Sequence, residues 1–257
     1  VPEPVVSVHL LTYNHADYIE EAIESVLMQE VDFPMEIVLG DDDSSDGTRE
    51  ICIEYAEQYP DLIRLQLHHR ENNIHLHGRP THVFQYWYNT FSARGKYIAI
   101  LSGDDYWTDP LKLKKQRSFL DLNRDCVMTY HPWTVREADT RPNSETSQQD
   151  SLNEDIHTIT SMFFNKICSI HKNALKVINE DAYLEYVLSE KGKFKIIKDI
   201  KPSVYRSHGN NIYKSKPFIQ KKYESCMSRL HIINCFESKK TKNSIVDGVA
   251  FFLGKMI

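Results

Sequence analysis

Two short acidic turns constrain this chain more than any other feature: Gly40-Asp41-Asp42-Asp43-Ser44-Ser45-Asp46-Gly47-Thr48 and Ser102-Gly103-Asp104-Asp105-Tyr106-Trp107. Each directly follows an apolar run, Met35–Leu39 and Tyr97–Leu101, short and β-branched enough to be a core strand of a parallel sheet. A helix-like segment precedes each run, so strand and helix alternate. In open sheets of this kind ligands sit beyond the carboxyl ends of the strands, where both turns fall. The two turns are therefore expected to share one crevice, and carboxylates at strand ends are suited to metal and sugar.

Composition narrows the class. The 257 residues, 41% hydrophobic, suffice for a proper core in one large domain or two small ones. A net charge of −5 with interspersed signs provides no broad basic face, which argues against a nucleic-acid partner. The five cysteines, Cys52, Cys126, Cys168, Cys226 and Cys235, are scattered and lack a CxxC pair. Neither a disulfide framework nor a cysteine zinc site is expected, and a cytoplasmic setting fits. No apolar run of about 18 residues and no basic-then-apolar leader is read, and processing upstream of Val1 stays open.

Along the chain, Val5–Leu11 reads as the first strand, then Asp17 and Glu20 as a capping box opening a helix with Ile19, Ile23, Val26 and Leu27 on one face. Helices are predicted over about 48–59 and 80–93, and strands over 62–67 and 126–130. Asp109-Pro110 reads as a helix start, with an N-cap carboxylate and proline at the first helical position, leading to about Leu122. Residues 137–155 are polar and poor in apolar side chains, the pattern of a mobile surface loop. Beyond it lie a helix near 181–190, a strand around 195–200 and a helical tail from Pro217. The final segment concentrates Val249, Phe251, Phe252, Leu253 and Met256. It is read as packing on the core, with peripheral contact to a membrane surface as the alternative.

Val6-Ser7-Val8, Thr12-Tyr13-Asn14, Tyr18-Ile19, Ala22 to Gln29, Asp41 to Thr48 and Gly103 to Trp107, in that order and at strand ends, resemble the family 2 glycosyltransferases. Fainter matches follow at Asn179-Glu180-Asp181 and at Val204-Tyr205-Arg206-Ser207-His208-Gly209-Asn210-Asn211. The resemblance implies the α/β GT-A fold, a Rossmann-like, mixed but mostly parallel sheet flanked by helices. A nucleotide-sugar-binding half would cover 1–125, an acceptor-binding and catalytic half of the same domain 126–216, and a C-terminal helical tail 217–257. It further implies an inverting, metal-dependent transferase that moves a sugar from a nucleotide donor, UDP-linked by preference, to a hydroxyl in polysaccharide or glycoconjugate synthesis. Acceptors in such a family are glycans or lipid-linked glycans, so a cytoplasmic protein visiting the inner face of the membrane would fit.

By the same resemblance Thr12, Tyr13 and Asn14 hold base and ribose, and Asp42 accepts a hydrogen bond from the uracil ring. Asp104 faces the sugar, while Asp105 and His208 hold a divalent cation, Mn²⁺ or Mg²⁺, on the donor diphosphate. Arg79 approaches the phosphates, Trp107 shapes the sugar pocket, and Asp181 is the base for the acceptor hydroxyl. The residue types suit these tasks. An ionised carboxylate only accepts, so it selects an imide N–H. Mg²⁺ and Mn²⁺ take oxygen ligands from one or two carboxylates plus substrate phosphates. A carboxylate raised in pKa by partial burial and by neighbouring Glu180 suits proton abstraction.

Plainer readings stand beside these. Asp41 to Asp46 also read as helix caps, Asp104-Asp105 as a solvated turn, Glu180-Asp181 as a helix start, and His208 as an ordinary histidine. Arg206 is open between phosphate and a carboxylate partner. His68, His69, His75 and His77 lack a cysteine partner and i,i+4 spacing, which argues against zinc. Ser102 stands where the family commonly has an acid, so a non-catalytic nucleotide-sugar-binding module is the alternative function. Nucleotidyl transfer would call for a glycine-rich basic loop, and Thr12-Tyr13-Asn14-His15 contains neither glycine nor lysine.

Overall fold

Side chains alternate along the apolar runs: Tyr97, Ala99 and Leu101 enter one core cluster while Ile98 and Ile100 enter a second on the opposite face. A strand buried on both faces needs helices on both, and the chain supplies them. The computed structural model describes residues 2–76, 79–137, 152–165, 172–208 and 218–235. The elements are β1 (Val6–Thr12), α1 (Ile19–Leu27), β2 (Met35–Asp41), α2 (Thr48–Gln58), β3 (Ile63–Leu67), the short pair β4 (His75–Leu76) and β5 (Arg79–Pro80), and α3 (Val83–Ser92). They continue with β6 (Tyr97–Ser102), α4 (Lys112–Leu122), β7 (Cys126–Tyr130), β8 (Trp133–Glu137), β9 (Met162–Phe164), α5 (Glu180–Ser189), β10 (Lys193–Ile196), β11 (Ser203–Ser207) and α6 (Phe218–Cys235).

Seven strands form the main sheet in the order β10-β7-β9-β6-β1-β2-β3. It is a mixed sheet, with β9 antiparallel to both β6 and β7 and the other pairs parallel. One face packs with α1 and α4 through Ile19, Ile23, Val26, Leu113 and Leu120; the other packs with α3 and α5 through Val83, Trp87, Tyr183 and Leu184. Each fully buried aliphatic side chain of this kind contributes about 1.5–3 kcal/mol. Outside the sheet, β8 and β11 pair in parallel.

Several boundaries differ from the sequence expectation, each for a local reason. The Asp17/Glu20 capping box does not form: Tyr18 is the N-cap of α1 without a side-chain bond, and the His15 carbonyl takes the Tyr18 and Ile19 N–H groups. Helix α3 starts at Val83 rather than Pro80, because Arg79 and Pro80 pair with Leu76 and His75. Helix α4 starts at Lys112 after Leu111, while Asp109 accepts the Leu111 and Lys201 N–H groups and the Lys115 ammonium. The strand read over 195–200 ends at Ile196. Strands β8, β9 and β11 were not legible at all, being short and paired with distant segments. The loop expectation falls largely on residues outside those described, although Asn153 pairs with Trp133. The apolar terminal segment lies wholly outside them. Among the described residues no helix is long and apolar enough to cross a membrane.

Candidate active site

Register puts the two acidic turns on either side of one strand end. Thr12 at the end of β1 lies opposite Asp41 on β2, and Leu11 lies opposite Ser102 on β6. The second turn presses against the first strand so closely that a Cβ at Gly103 would sit 2.6 Å from Thr12 Oγ1, which only glycine avoids. Asn14 (φ 52°) and Asp43 (φ 64°) both take the left-handed conformation that Asn and Asp tolerate best among side-chain-bearing residues.

The first turn is tightly bonded. Buried Asp41 accepts from Arg49 Nε at 2.7 Å and from the Ser44 N–H at 3.2 Å. Asp46 accepts from the Thr48 and Ala16 N–H groups, so it serves as a cap and a loop tie. Asn14 donates its N–H to Ser44 Oγ and accepts from the Ser45 N–H, which joins the two loops. Asp42 is only 3% exposed; its Oδ2 receives Asn73 Nδ2 at 2.9 Å, and Arg70 lies 3.7 Å away. Burial pushes its pKa above the usual carboxylate range, against the pull of Asn73 and Arg70. Its Oδ1 and the Asn73 Oδ1 are buried acceptors with no partner. Arg70 stacks its guanidinium 4.2 Å above the Tyr13 ring, so a flat cationic and aromatic surface stands beside Asp42.

The second turn has a different chemistry. Asp105 is 1% exposed, with Oδ1 held by the Arg206 N–H at 2.8 Å. Burial first, and then the adjacent Asp104 charge, holds its carboxyl well above the usual range. Asp104 Oδ2 lies 3.1 Å from His208 Nε2 and 3.7 Å from His15 Nε2. Burial works to raise Asp104, but the His208 hydrogen bond and the two imidazoles outweigh it and leave its pKa below the usual range. His208 Nδ1 is buried without a partner. The bridge between Tyr106 and Val204 delivers β11, with Arg206 and His208, to this turn. Arg206 sits between the Tyr18 and Tyr106 rings and bonds Glu21 Oε2 and the Asp104 carbonyl, which answers the question of its partner in favour of a carboxylate.

These groups fit a divalent cation: two adjacent carboxylates, Asp105 buried and Asp104 partly exposed, crowd acceptor oxygens into one turn, and His208, whose Nε2 meets Asp104, has its buried Nδ1 without a partner. Among the described residues no group of three or more ligating side chains is preassembled. The rest of a coordination shell would come from phosphate and water, the usual arrangement for Mg²⁺.

The remaining expectations divide. Trp107 is 1% exposed, its Nε1 bonds the Ile159 carbonyl and Lys112 Nζ covers its ring at 3.9 Å, so it is a core residue and shapes no sugar pocket. Thr12 is likewise 1% exposed, with its hydroxyl beside His15 Nδ1 and its carbonyl bonded by Gln85 and Asp42, so its polar groups are taken up within the protein. Arg79 lies on β5 opposite Leu76, and its side chain is outside the described residues. Asp181, in the first turn of α5, is exposed rather than partly buried; it accepts from the Ala182 N–H at 2.8 Å and from Thr158 Oγ1 at 3.4 Å. Its neighbour Glu180 is the buried one, 3.1 Å from His82 Nε2. That carboxylate holds the half-exposed His82 imidazole up to about 9. Sequence reasoning missed His15, Arg70, Asn73 and His82 as site residues. His15 was quoted only as part of a loop, and nothing but folding places it beside Asp104 and Arg70 beside Asp42.

Known proteins resemble this chain in sequence or in fold. Uncharacterised proteins of Mycobacterium tuberculosis and Mycobacterium bovis are 33% identical over 218 residues, covering 81% of this chain and 60% of theirs. The minor teichoic acid biosynthesis protein GgaB of Bacillus subtilis is 29% identical over 213 residues, 76% of this chain and 22% of that protein. The chain therefore spans 60% of the length of the mycobacterial relatives it matches. The mannosyltransferase PcManGT of Pyrobaculum calidifontis, in complex with GDP-Man and Mn²⁺, superposes with a TM-score of 0.66 over 98% of this chain and 70% of that one, at 16% identity. TarS 1–349 of S. aureus, in complex with UDP-GlcNAc, gives 0.60 over 96% and 71% at 19% identity. At these identities the likeness carries the fold, which is GT-A. The model of glycosyl transferase family 2 matches residues 7–179, taking in both acidic turns and the segment up to α5, and the chain belongs to that family.

Proposed function

We propose that the chain moves a sugar, with inversion, from a UDP-linked donor to a hydroxyl of a glycan or lipid-linked glycan acceptor, with Mn²⁺ or Mg²⁺ on the donor diphosphate. The observation that carries this reading is the adjacent pair of carboxylates at the end of β6, Asp105 buried and Asp104 partly exposed beside His208, on the far side of β1 from Asp42. Two relatives in fold lend support: one is in complex with UDP-GlcNAc and the other with GDP-Man and Mn²⁺. Polysaccharide synthesis as the setting is supported by the resemblance to GgaB.

Asp42 Oδ1 and Asn73 Oδ1, buried and unmet, favour a base that brings N–H donors, as uracil does. The Tyr13–Arg70 surface gives that ring a face to stack on. Asp104 addresses the sugar, and Asp105 and His208 would hold the cation. When bound, the cation supplies Lewis-acid stabilisation of the charge on the departing diphosphate. Asp181 takes the proton of the acceptor hydroxyl as that oxygen attacks the anomeric carbon from the face opposite the leaving group. The new C1–O bond forms as the C1–O bond to the diphosphate breaks, and its electron pair leaves with UDP. Exposure of Asp181 suits this task, because the base must meet an arriving hydroxyl.

The test is a calorimetric titration of UDP, GDP and dTDP with and without Mn²⁺, followed by donor-sugar hydrolysis in the same preparation. Metal-dependent, UDP-selective binding with slow hydrolysis is the expected result, and no binding of any nucleotide would sink the reading. Asp181→Asn is expected to keep UDP binding and lose about 100-fold to 10,000-fold in turnover, the usual worth of a general base.

A further inference from the structure

Packed between α5, β10 and α6 is a cavity of about 370 Å³, within the range of small-ligand pockets. The residues that line it include the aromatics Tyr186 and Phe194 together with Ser225, Glu185 and Arg229. Apolar ring faces beside hydrogen-bonding groups of both kinds match a pyranose, which presents C–H faces and equatorial hydroxyls together.

Position ties the cavity to Asp181. Ala182 and Glu185 line it, and Asp181 and Glu185 stand i,i+4 on one row of α5, about one 5.4 Å turn apart. The two carboxyls are near enough that Asp181, after burial, helps to hold Glu185 up to about 7. On its other side Asp181 meets Thr158, next to Ile159, whose carbonyl receives Trp107 Nε1 of the second acidic turn. Asp181 thus stands between the metal-type carboxylates and the cavity. Ser228 Oγ of α6 accepts the Asn179 N–H at 3.4 Å, so the far wall is fastened to the start of the helix that carries Asp181. A ring seated in the cavity would have its position referenced to that carboxylate.

We propose that this cavity is the acceptor subsite, taking one neutral pyranose unit of a glycan chain among Tyr186, Phe194, Ser225 and Arg229. The proposal rests on the transferase reading and names the substrate class of that site. A lipid tail is disfavoured by the serines and charged residues around it.

The test is saturation-transfer NMR on the full chain with UDP and Mg²⁺, probing with methyl glucoside, methyl galactoside, methyl mannoside and methyl N-acetylglucosaminide. At least one glycoside is expected to receive saturation. Ser225→Trp, which fills the cavity from α6, is expected to abolish that signal while UDP affinity by calorimetry stays within twofold. Phe194→Ala is expected to weaken the glycoside at least 10-fold with UDP affinity likewise retained. Absence of saturation for every glycoside in the unaltered protein, or a signal that survives Ser225→Trp, would overturn the subsite. Failure of the unaltered protein to bind UDP would overturn the transferase reading beneath it, and the two failures are read in separate measurements.

Discussion

The two acidic turns begin alike and end differently. Both follow a buried parallel strand and both carry adjacent aspartates, yet the first is answered by side chains of opposite charge and the second chiefly by backbone and imidazole. In the first, Arg49 reaches Asp41 and Asp43, and Arg70 with Asn73 reaches Asp42. In the second, Asp105 is met by the Arg206 N–H and Asp104 by two histidines. A carboxylate already paired with arginine is a fixed hydrogen-bond acceptor. Two carboxylates crowded in a buried turn remain a charge in search of a cation. The same local sequence pattern therefore yields a proposed base-reading element on one side of β1 and a candidate metal element on the other.

The sharpest way to break this contrast is Asp105→Asn. Turnover is expected to fall at least about 100-fold, as when a transition-state electrostatic partner is removed, and the Mn²⁺ dependence of UDP binding should disappear. Unchanged metal dependence in calorimetry would erase the distinction between the turns. Next in size is Arg49→Met, which strands the fully buried Asp41 carboxylate. Loss of about 3 kcal/mol in urea unfolding is expected, with recovery in the double variant carrying Asp41→Asn as well. A single variant as stable as the parent would show that Arg49 does not neutralise that turn. Asp42→Ala is expected to weaken UDP about 10-fold to 100-fold, the 1–3 kcal/mol of an unmet polar group, and to narrow the preference for UDP over CDP. Equal weakening of both nucleotides would remove Asp42 from base selection.

The smallest effect lies where the first turn faces α5. His82 is held up to about 9, chiefly by Glu180, with lesser help from Asp181 and Asp42. A histidine raised in the folded state lends stability that is full below its unfolded value near 6.5 and is lost as pH rises through about 9. Half exposure of the imidazole keeps this contribution small. In Glu180→Gln the NMR titration of His82 should move back toward its ordinary value, and thermal stability should become flatter between pH 6.5 and 9. Asp42→Ala should move it less, and a larger shift there would place the first turn's field ahead of the α5 pair.

Much of the first half was legible because its signals are local. The continuous apolar run Tyr97–Leu101 and the turn residues after each strand fix β2, β6 and α2 with little help from elsewhere, and Gly47, at φ 103°, supplies the left-handed entry to α2. The second half was harder. Strand β9 has three residues and owes its existence to the gap between β6 and β7, and β11 exists because β8 lies beside it. Neither carries a period that a reader could count. Trp107 shows the same limit within the site: an aromatic after an acidic turn reads as a sugar platform, but the packing of Lys112 over its ring and the Ile159 carbonyl at its indole place it in the core.

By itself, then, the order of residues determined the alternation of strand and helix, the two acidic turns at strand ends and the family to which they belong, because each depends on neighbours within a few positions. Tertiary structure alone decided which carboxylates are neutralised, that His15 and His208 meet at Asp104, and that α5, β10 and α6 line an open cavity reached by Ala182 and Glu185 of the helix that carries Asp181. Those outcomes join residues as far apart in the sequence as His15 and His208, and charge, burial and shape act through distance in space.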